Sequence, residues 1–528
     1  MCCTVNDRGT PSVKVTNGSW FDTWRNHVLH SSVYVGVITV CLRCSSRYWS
    51  KDVNDGNNNQ SGFPWLVANW LIGSLAAYGL KGELTYMWKR RRLPPGDSGL
   101  PIVGHLLAVM DDGERLCTKS IQKYGSFTTY NLLMNPVVLL LDEDSVRWAM
   151  TQERKGKTKA LILPHLLSLL GEDSIMVKSG EEHKRLRKVF EPAFTPAAIR
   201  DYAAAIDNET QKKLEQWSES GEFQQPTEWA LLAMRIFFVC AFGEADDERM
   251  VELADLFSKW IKGFSAPIPM RIPGTALAKA HVHKAELGRV LKEMIHEFKE
   301  KNPPDSNAAK TSVLGRLCYS IDENDNPPTE KVLIDNLRFF LFAGFDTTKA
   351  SFGAISHFLK QHPKLEEALA KEVQGFSGDV LDIDQLKNEA PILNAVMAES
   401  WRLTPPLSSH TTVAMEDLEY KGYLIPKGTF VGTDNQVHPR MDDELYPSAE
   451  AFCFERWLPK GHPLYDPSKA NTEKIDYNVM SSKFRPFNHG PHMCLGAHFA
   501  KLEVRIVLMM KYGRGFGHPC TVFHTVSP

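Results

Sequence analysis

The sequence predicts a mainly α-helical protein with a small β lobe, in which a single large domain follows an N-terminal membrane anchor. Three observations indicate this fold class. Residues 195–301 place charged and apolar residues at helical spacing, and a long apolar helix is indicated from Thr329 to Leu359. Residues 124–142 alternate enough to indicate strands. No linker rich in proline, glycine and serine divides the chain after residue 94, so we expect one large domain.

Composition limits the class of protein. The 528 residues carry a net charge of -2 and are 43% hydrophobic, which is enough for a large core and gives no charge excess for binding nucleic acid. Cysteines are scattered, and only Cys41 and Cys44 form a C-x-x-C pair, which is a weak zinc or redox signal on its own. This usage suits a reducing compartment for the main domain.

A transmembrane anchor is predicted at residues 63–80, an uncharged stretch near the lower length limit for spanning a bilayer. The basic cluster 89–92 follows it, so the positive-inside rule places the rest of the chain in the cytosol. A buried or interfacial helix is the alternative interpretation. Residues 1–62 form a tail of unclear role, for which a transit peptide is a minority alternative. Residues 81–104 form a basic and proline-rich hinge.

A basic helix is predicted within residues 180–194. His183 and Arg187 lie one turn apart and therefore share a helix face. The rest of the helix is basic through Lys184, Arg185 and Lys188. By itself this pattern is typical of a solvated helix face.

The long apolar helix contains a polar segment, Asp346-Thr347-Thr348, directly after the small residues Ala343 and Gly344. The simplest interpretation is a polar segment whose hydrogen bonds are satisfied within the fold and which has no functional role. Polar side chains in so apolar a helix need partners, however, which favours a functional role. The small residues allow close approach of another group and loosen the backbone ladder at the glycine.

A charged pair is predicted on a later helix, where Glu399 and Arg402 are three residues apart and share a face. Such a pair is most often a surface ion pair of little energetic value. Here the preceding segment 392–398 is apolar, and residues 403–406 end the helix. We therefore expect this pair to be buried.

The segment Phe484–Glu503 carries the most specific pattern in the chain. Its spacing is Phe-x-x-Gly-x-His-x-Cys-x-Gly, with members Phe487, Gly490, His492, Cys494 and Gly496. A lone cysteine would more often be a free buried side chain. The glycines instead allow a tight bulge, and backbone N–H groups at the start of the following helix can point at the sulfur. This environment is typical of a thiolate that binds a metal.

Taken together, these motifs resemble the cytochrome P-450 superfamily over roughly residues 93–512, in the style of the clan that modifies sterols, terpenoids and retinoids. The resemblance implies a haem b between the long helix and the cysteine loop, with Cys494 as axial ligand of the iron. It assigns residues 105–512 to the haem-binding monooxygenase domain. Residues 513–528 do not fit the family, and we expect a truncated or altered end there.

Roles for other residues follow from the same resemblance. His492 stands where the family usually has an arginine, and His183 stands where the family often has a tryptophan. In the family, the arginine and the tryptophan reach the haem propionates, and the resemblance implies this role for the two histidines. The further cofactor-binding residues are Phe487, Gly490, Gly496 and Arg187. Asp346 is implied to relay protons and Thr347 to hydrogen-bond the oxygen. The residues that support the scaffold are Glu399, Arg402 and Arg456. The residues implied for the substrate pocket are Phe342, Ala343, Leu407 and Thr411.

The implied reaction inserts one oxygen atom from O2 into an apolar substrate, such as a sterol, terpenoid, carotenoid-derived or fatty-acid-like molecule. Electrons would come from NADPH through a flavoprotein reductase or a ferredoxin, which we expect to dock on the basic helix at residues 180–194. We expect a monomer in the endoplasmic reticulum membrane with a cytosolic catalytic domain. A plastid or a mitochondrion is the alternative location.

Three alternative functions stay open at this point. An oxygen-independent haem-thiolate isomerase or dehydratase usually lacks the acid–threonine pair, which this chain keeps as Asp346 and Thr347. A sterol demethylase often has histidine where this chain has Asp346. An inactive haem-binding protein is suggested by the atypical C-terminus.

Overall fold

A computed structural model describes residues 84–513 and parts of 73–82, with gaps at 221–224, 244–246, 267–269 and 377–382. The predicted tail 1–62, most of the predicted anchor 63–80 and nearly all of residues 513–528 lie outside the described residues. No helix in the described part is long and apolar enough to cross a membrane. The described residues divide into two compact units, with boundaries at 142/143, 412/413 and 432/433.

Helices make up most of the described chain. They are α1 (Leu106–Tyr124), α2 (Glu143–Arg154), α3 (Pro164–Leu170), α4 (Gly180–Phe190), α5 (Pro196–Arg200), α6 (Ala203–Ser220), α7 (Gln225–Phe242), α8 (Asp247–Ile261), α9 (Ala276–Lys301), α10 (Asn307–Thr311), α11 (Val313–Cys318), α12 (Glu330–Gln361), α13 (Pro363–Gln374), α14 (Ile383–Glu389), α15 (Pro391–Leu403), α16 (Val437–Met441) and α17 (Ala497–Gly513). Single 3-10 turns occur at Ile175–Val177, Glu191–Ala193 and Phe454–Trp457.

The strands are short and few. They are β1 (Phe127–Leu132), β2 (Asn135–Leu140), β3 (Thr158–Ala160), β4 (Ser409–Ala414), β5 (Leu418–Tyr420), β6 (Tyr423–Ile425) and β7 (Phe430–Asp434). The prediction of a mainly α fold with a small β component is therefore confirmed.

The smaller unit contains α1 and the hairpins. β1 and β2 pair antiparallel, with Phe127 opposite Leu140, and β7 lies next to β2. β5 and β6 form a second hairpin, whose turn residues Lys421 and Gly422 both have positive φ. Two such residues are what a tight two-residue hairpin requires. A small apolar core lies beneath β2, formed by Val137, Leu139 and Leu141.

The larger unit is a helical body arranged around α12. This 32-residue helix packs against α7, α9, α13, α15 and α17. Its N-terminus is fixed because the Thr329 hydroxyl accepts the N–H of Val332 at 3.4 Å, a standard N-cap. Helices α15 and α17 are buried along nearly their whole length, as their apolar sequences predict. They position the side chains described next.

Candidate active site

The cysteine loop directly precedes α17 and is closed by its own backbone. The Cys494 N–H donates to the Phe487 carbonyl at 2.9 Å, and the Met493 N–H donates to the Gly490 carbonyl at 3.1 Å. Gly490 has a φ of 89°, and a Cβ there would lie 2.7 Å from Sδ of Met150. Both the turn and the close packing therefore require glycine at this position, as the spacing predicts.

Gly496 contributes through its backbone. Its N–H hydrogen-bonds to the sulfur of Cys494, and its carbonyl accepts the N–H of Ala500 at 2.9 Å as the helix begins. A Cβ at Gly496 would meet no atom within 4 Å, so this glycine faces open space. The first turn of the helix thus aims a hydrogen-bond donor at the sulfur, which favours the thiolate.

The Cys494 thiol has two properties that rarely occur together. It is exposed, yet desolvation by the surrounding protein raises its pKa, against the lowering effect of the Gly496 N–H and the charges of Arg187 and Lys501. A side chain can have both properties when it faces an open space inside the protein. This arrangement fits a haem whose iron takes the sulfur as a ligand.

On α12, the predicted oxygen-handling residues lie in continuous helix. The Thr347 side chain is exposed, and its hydroxyl donates to the Ala343 carbonyl at 2.6 Å. Asp346 forms an ion pair with Lys349, one turn further on. The next residue, Thr348, is buried and hydrogen-bonds to Glu503 of α17, whose pKa burial raises. Lys349 had no predicted role, although its i,i+3 spacing to Asp346 is a visible signal.

His183 and Arg187 both reach the cysteine loop from α4. Arg187 donates to the Met493 carbonyl at 2.6 Å, and the His183 ring lies against the His492 ring, tilted by 37°, with 4.1 Å between centroids. Burial, followed by the positive charges of His492 and Arg187, lowers the pKa of His183 to about 4. The imidazole of His183 is therefore neutral at physiological pH. The structure brings this predicted pair to the loop, and their contact with haem stays a prediction.

His492 is held by a residue that the sequence did not single out. Nδ1 of His492 lies 2.8 Å from Oε1 of Glu153, and Nε2 lies 3.2 Å from the Lys178 carbonyl. Nε2 of His410 approaches the same Glu153 oxygen at 3.2 Å. Burial would raise the pKa of Glu153, but its bonds to the two histidines hold that pKa at about 2. No local motif marks Glu153, because its partners lie more than 250 residues away in sequence.

The structure brings together the three residues predicted to support the scaffold. Glu399 accepts two hydrogen bonds from Arg402 at 2.8 Å and one from Arg456 at 3.2 Å. The Cys453 N–H and the Trp457 indole N–H each donate to it at 2.8 Å. The Glu399 side chain is fully buried, as predicted for this pair.

Trp401 links the two sides of the site and was missed from sequence. Its indole N–H donates to the Ser351 hydroxyl of α12 at 3.0 Å, and its ring meets Phe487 edge-on at 5.0 Å. Lys501 also contacts Phe487, with Nζ 5.5 Å from that ring, and it donates to the Tyr477 carbonyl at 3.0 Å. Burial lowers the pKa of Lys501 to about 7.

The residues predicted for the substrate pocket do not line the small apolar cavity that the described structure contains beside α12. Phe342 packs against Phe264 at 4.8 Å, the Thr411 backbone bonds to Leu161, and Leu407 is exposed. A small apolar cavity instead lies between α12 and its neighbours. It is lined by Met234, Phe237, Phe238, Leu253, Phe257, Leu341 and Phe345. The pocket assignment therefore stays a prediction.

Comparison with known proteins gives a consistent result. The family model named Cytochrome P450 matches residues 94–510. Among curated proteins, the putative cytochrome P450 120 of Synechocystis sp. is 28% identical over 78% of this chain and 88% of the relative. Abscisic acid 8'-hydroxylase 2 of Arabidopsis thaliana is 25% identical over 80% and 84%, and taxane 13-alpha-hydroxylase of Taxus cuspidata is 24% identical over 79% and 84%.

A solved structure shows the same similarity in three dimensions. The retinoic acid bound cyanobacterial CYP120A1 matches with a TM-score of 0.68 and 27% identity. The match covers 80% of this chain and 91% of that chain.

Proposed function

We propose, from the premise that this chain belongs to the cytochrome P450 family and is a monooxygenase, that it hydroxylates an apolar, terpenoid-like molecule at a haem bound by Cys494. The relatives named for abscisic acid and a taxane, and the solved structure that holds retinoic acid, support this substrate class because all three molecules have isoprenoid carbon skeletons.

The observation that carries the proposal is the environment of Cys494. The thiol faces an internal opening and accepts the Gly496 N–H, while the charges of Arg187 and Lys501 also favour its ionised form. When bound there, haem b would supply the iron centre that activates dioxygen. Phe487 closes the loop backbone by accepting the Cys494 N–H, and Nζ of Lys501 lies 5.5 Å from the Phe487 ring.

Proton delivery would depend on the polar segment of α12. Asp346 is partly exposed and ion-paired to Lys349, so it can take protons from solvent. The Thr347 hydroxyl is fixed by its bond to the Ala343 carbonyl, which leaves its oxygen lone pairs free to accept a hydrogen bond. Asp346 would therefore pass protons from solvent toward the interior. The Thr347 hydroxyl oxygen would accept a hydrogen bond at a fixed position along that route.

The electron donor would dock on the basic face of α4. Lys184 and Lys188 are exposed, and each is paired with a surface carboxylate, Glu181 and Glu323 respectively. Exposed ion pairs of this kind exchange partners at little energetic cost. An acidic reductase or ferredoxin surface could replace these carboxylates, close to the loop that Arg187 contacts.

The ligand assignment is tested with the Cys494→Ser variant. We expect the parent to give the ferrous–carbon monoxide absorption spectrum of a thiolate-bound haem, and the variant to lose it while still binding some haem. Cys117→Ser is the matched control, since Cys117 is a half-buried cysteine of the smaller unit. An unchanged spectrum in Cys494→Ser would overturn the proposal.

The reaction is tested with isotopic oxygen and an isoprenoid substrate panel. With ¹⁸O₂, NADPH and a reductase or ferredoxin system, we expect one labelled oxygen atom in the product. Thr347→Ala should lower the yield of product per NADPH by roughly 100-fold if it holds the proton-delivery position. Ser356→Ala is the control on the same helix, because that buried hydroxyl has no hydrogen-bond partner among the described residues. Unlabelled product would refute oxygen insertion.

Membrane attachment also stays a proposal, and it rests on the uncharged stretch 63–80 followed by the basic cluster 89–92. Expression of the full chain in a eukaryotic cell, followed by alkaline extraction of the membranes, tests it. Recovery of the protein in the soluble fraction would contradict an integral anchor.

A further inference from the structure

We propose that the small apolar cavity beside α12 is a binding site for dioxygen rather than for the terpenoid-like substrate. Seven described side chains from α7, α8 and α12 line the cavity, and each is a phenylalanine, a leucine or the methionine Met234. Six of the seven are buried and the seventh, Phe345, is half-buried, so the helical body largely encloses the cavity. The inference rests on the proposed function in its choice of gas, since a monooxygenase consumes dioxygen.

The size of the cavity decides what it can hold. Its volume is about 10 Å³, which is about the least that admits one water molecule. Pockets that bind organic ligands are far larger, at roughly 300–1,000 Å³. A terpenoid therefore does not fit, whereas a diatomic gas is close to the right size. Met234 has an unbranched side chain with several rotatable bonds, so it can move by the small amount that dioxygen needs.

The lining of the cavity decides between water and an apolar gas. A buried water molecule needs about two to four hydrogen-bond partners. The seven lining side chains offer only the weakly accepting sulfur of Met234, and the backbone groups of the helices are bonded within their own helices. Apolar cavities of this kind stay dry and accept small apolar molecules such as xenon. Dioxygen has neither charge nor dipole, so the same preference applies to it.

Phe237 lies between the cavity and the predicted oxygen-handling segment of α12. It lines the cavity, and a Cβ built at Gly344 would lie 3.4 Å from its ring. The same ring meets Phe499 of α17 edge-on, at 6.4 Å between centroids. Phe345, which also lines the cavity, is two residues before Thr347 in the sequence. A gas molecule that leaves the cavity past Phe237 therefore reaches α12 at Gly344, where the helix has no side chain.

A gas site at this place would raise the local concentration of dioxygen beside α12. The enrichment is modest, because burial of one methylene-sized apolar group favours the buried state by about fourfold. Such a site binds dioxygen before the reaction and takes no part in the chemical step. Its loss should therefore act on the KM for dioxygen more than on kcat.

Xenon tests the cavity without any need for turnover, because xenon is apolar and scatters X-rays strongly. Crystals of the full-length holoprotein are pressurised with xenon, and we expect one xenon atom between Phe237, Leu253 and Phe345. Leu253→Phe should remove that xenon, because the larger side chain fills the cavity. Val251→Phe is the matched control, since Val251 lies on the same helix but is exposed, and it should keep the xenon. Met234→Phe fills the same space from α7 and decides the question if circular dichroism shows that Leu253→Phe is not folded.

Steady-state kinetics at limiting dioxygen then test the role of the cavity. With the panel isoprenoid that the parent converts best, Leu253→Phe should raise the KM for dioxygen by about fourfold, with a smaller change in kcat. Val251→Phe should match the parent. Absence of xenon from the parent would overturn the proposal, and so would an unchanged KM for dioxygen in a Leu253→Phe protein that has lost its xenon. A parent that forms no oxygenated product would refute the proposed function and the dioxygen assignment with it, while the xenon crystals would still report whether the cavity binds an apolar gas.

Discussion

Replacing Glu399 by glutamine is expected to destabilise this protein severely. Glu399 is fully buried and accepts five hydrogen bonds, from Arg402, Arg456, Cys453 and Trp457. Burial opposes its ionisation, but the two arginines and the Cys453 N–H outweigh that effect and lower its pKa. The carboxylate is therefore charged, and it is the counter-ion that the two buried guanidinium groups share.

The magnitude follows from what the substitution leaves behind. Glutamine keeps the shape of the side chain, but Arg402 and Arg456 lose their negative partner, and the amide nitrogen would face donors. Removing one member of a buried ion pair costs about 3–5 kcal/mol, which is roughly a 150- to 5,000-fold change in the unfolding equilibrium. Arg402 also donates to the carbonyls of Pro439 and Ala449 at 2.7 Å, so we expect the lower half of this range.

The assay is urea denaturation of the holoprotein, followed by far-ultraviolet circular dichroism and by haem absorbance. Glu399→Gln should shift the midpoint to markedly lower urea. Glu367→Gln is the control, because Glu367 forms an exposed pair with Lys371, and its midpoint should not move. Equal midpoints for the two variants would show that the buried charge network does not stabilise the fold, and the reasoning would fail.

Two further predictions concern stability. Burial raises the pKa of Tyr202 to about 12 in the folded protein, despite the nearby charge of Arg316. The unfolded chain has the ordinary pKa of about 10, so the contribution of Tyr202 to the free energy of unfolding is fully present below pH 10 and is lost as the pH rises through 12. Tyr202→Phe should remove this alkaline loss, which urea midpoints at pH 9 and pH 11 would detect. Glu372 caps α15 by accepting the N–H groups of Ile392 and Leu393 at 2.8 and 2.9 Å. Glu372→Ala should cost about 1 kcal/mol, seen as a lower melting temperature, and an unchanged melting temperature would contradict this role.

The features that could be predicted from sequence are those with a local period or a fixed spacing. The apolar stripe of α12 predicted its extent within two residues at each end, because a buried helix repeats every 3.6 residues. Gly490 followed from its place in the loop pattern, and its positive φ gives the physical reason.

The features that could not be predicted depend on contacts between distant segments. Glu153 lies in a charged helix whose sequence reads as a solvated face, yet its carboxylate is buried against His410 and His492. Trp401 occurs within a motif that draws attention to Glu399 and Arg402 on either side of it. The lining of the apolar cavity beside α12 could not be predicted either, because its side chains come from several helices and their sequences mark them only as core.

Helix α15 connects the buried charge network around Glu399 with the elements of the candidate active site. The helix carries Glu399 and Arg402 toward the segment that ends in Arg456, while Trp401 contacts both Ser351 of α12 and Phe487 of the cysteine loop. A helix that must hold two other elements at a fixed separation cannot rotate or slide, and apolar packing alone tolerates small shifts of that kind. The five hydrogen bonds that the buried Glu399 carboxylate accepts are directional and tolerate such shifts poorly, because a displacement would separate the carboxylate from Arg402 or Arg456. We therefore infer that the buried charge network fixes the separation between α12 and the cysteine loop, the two elements between which the haem is proposed to bind.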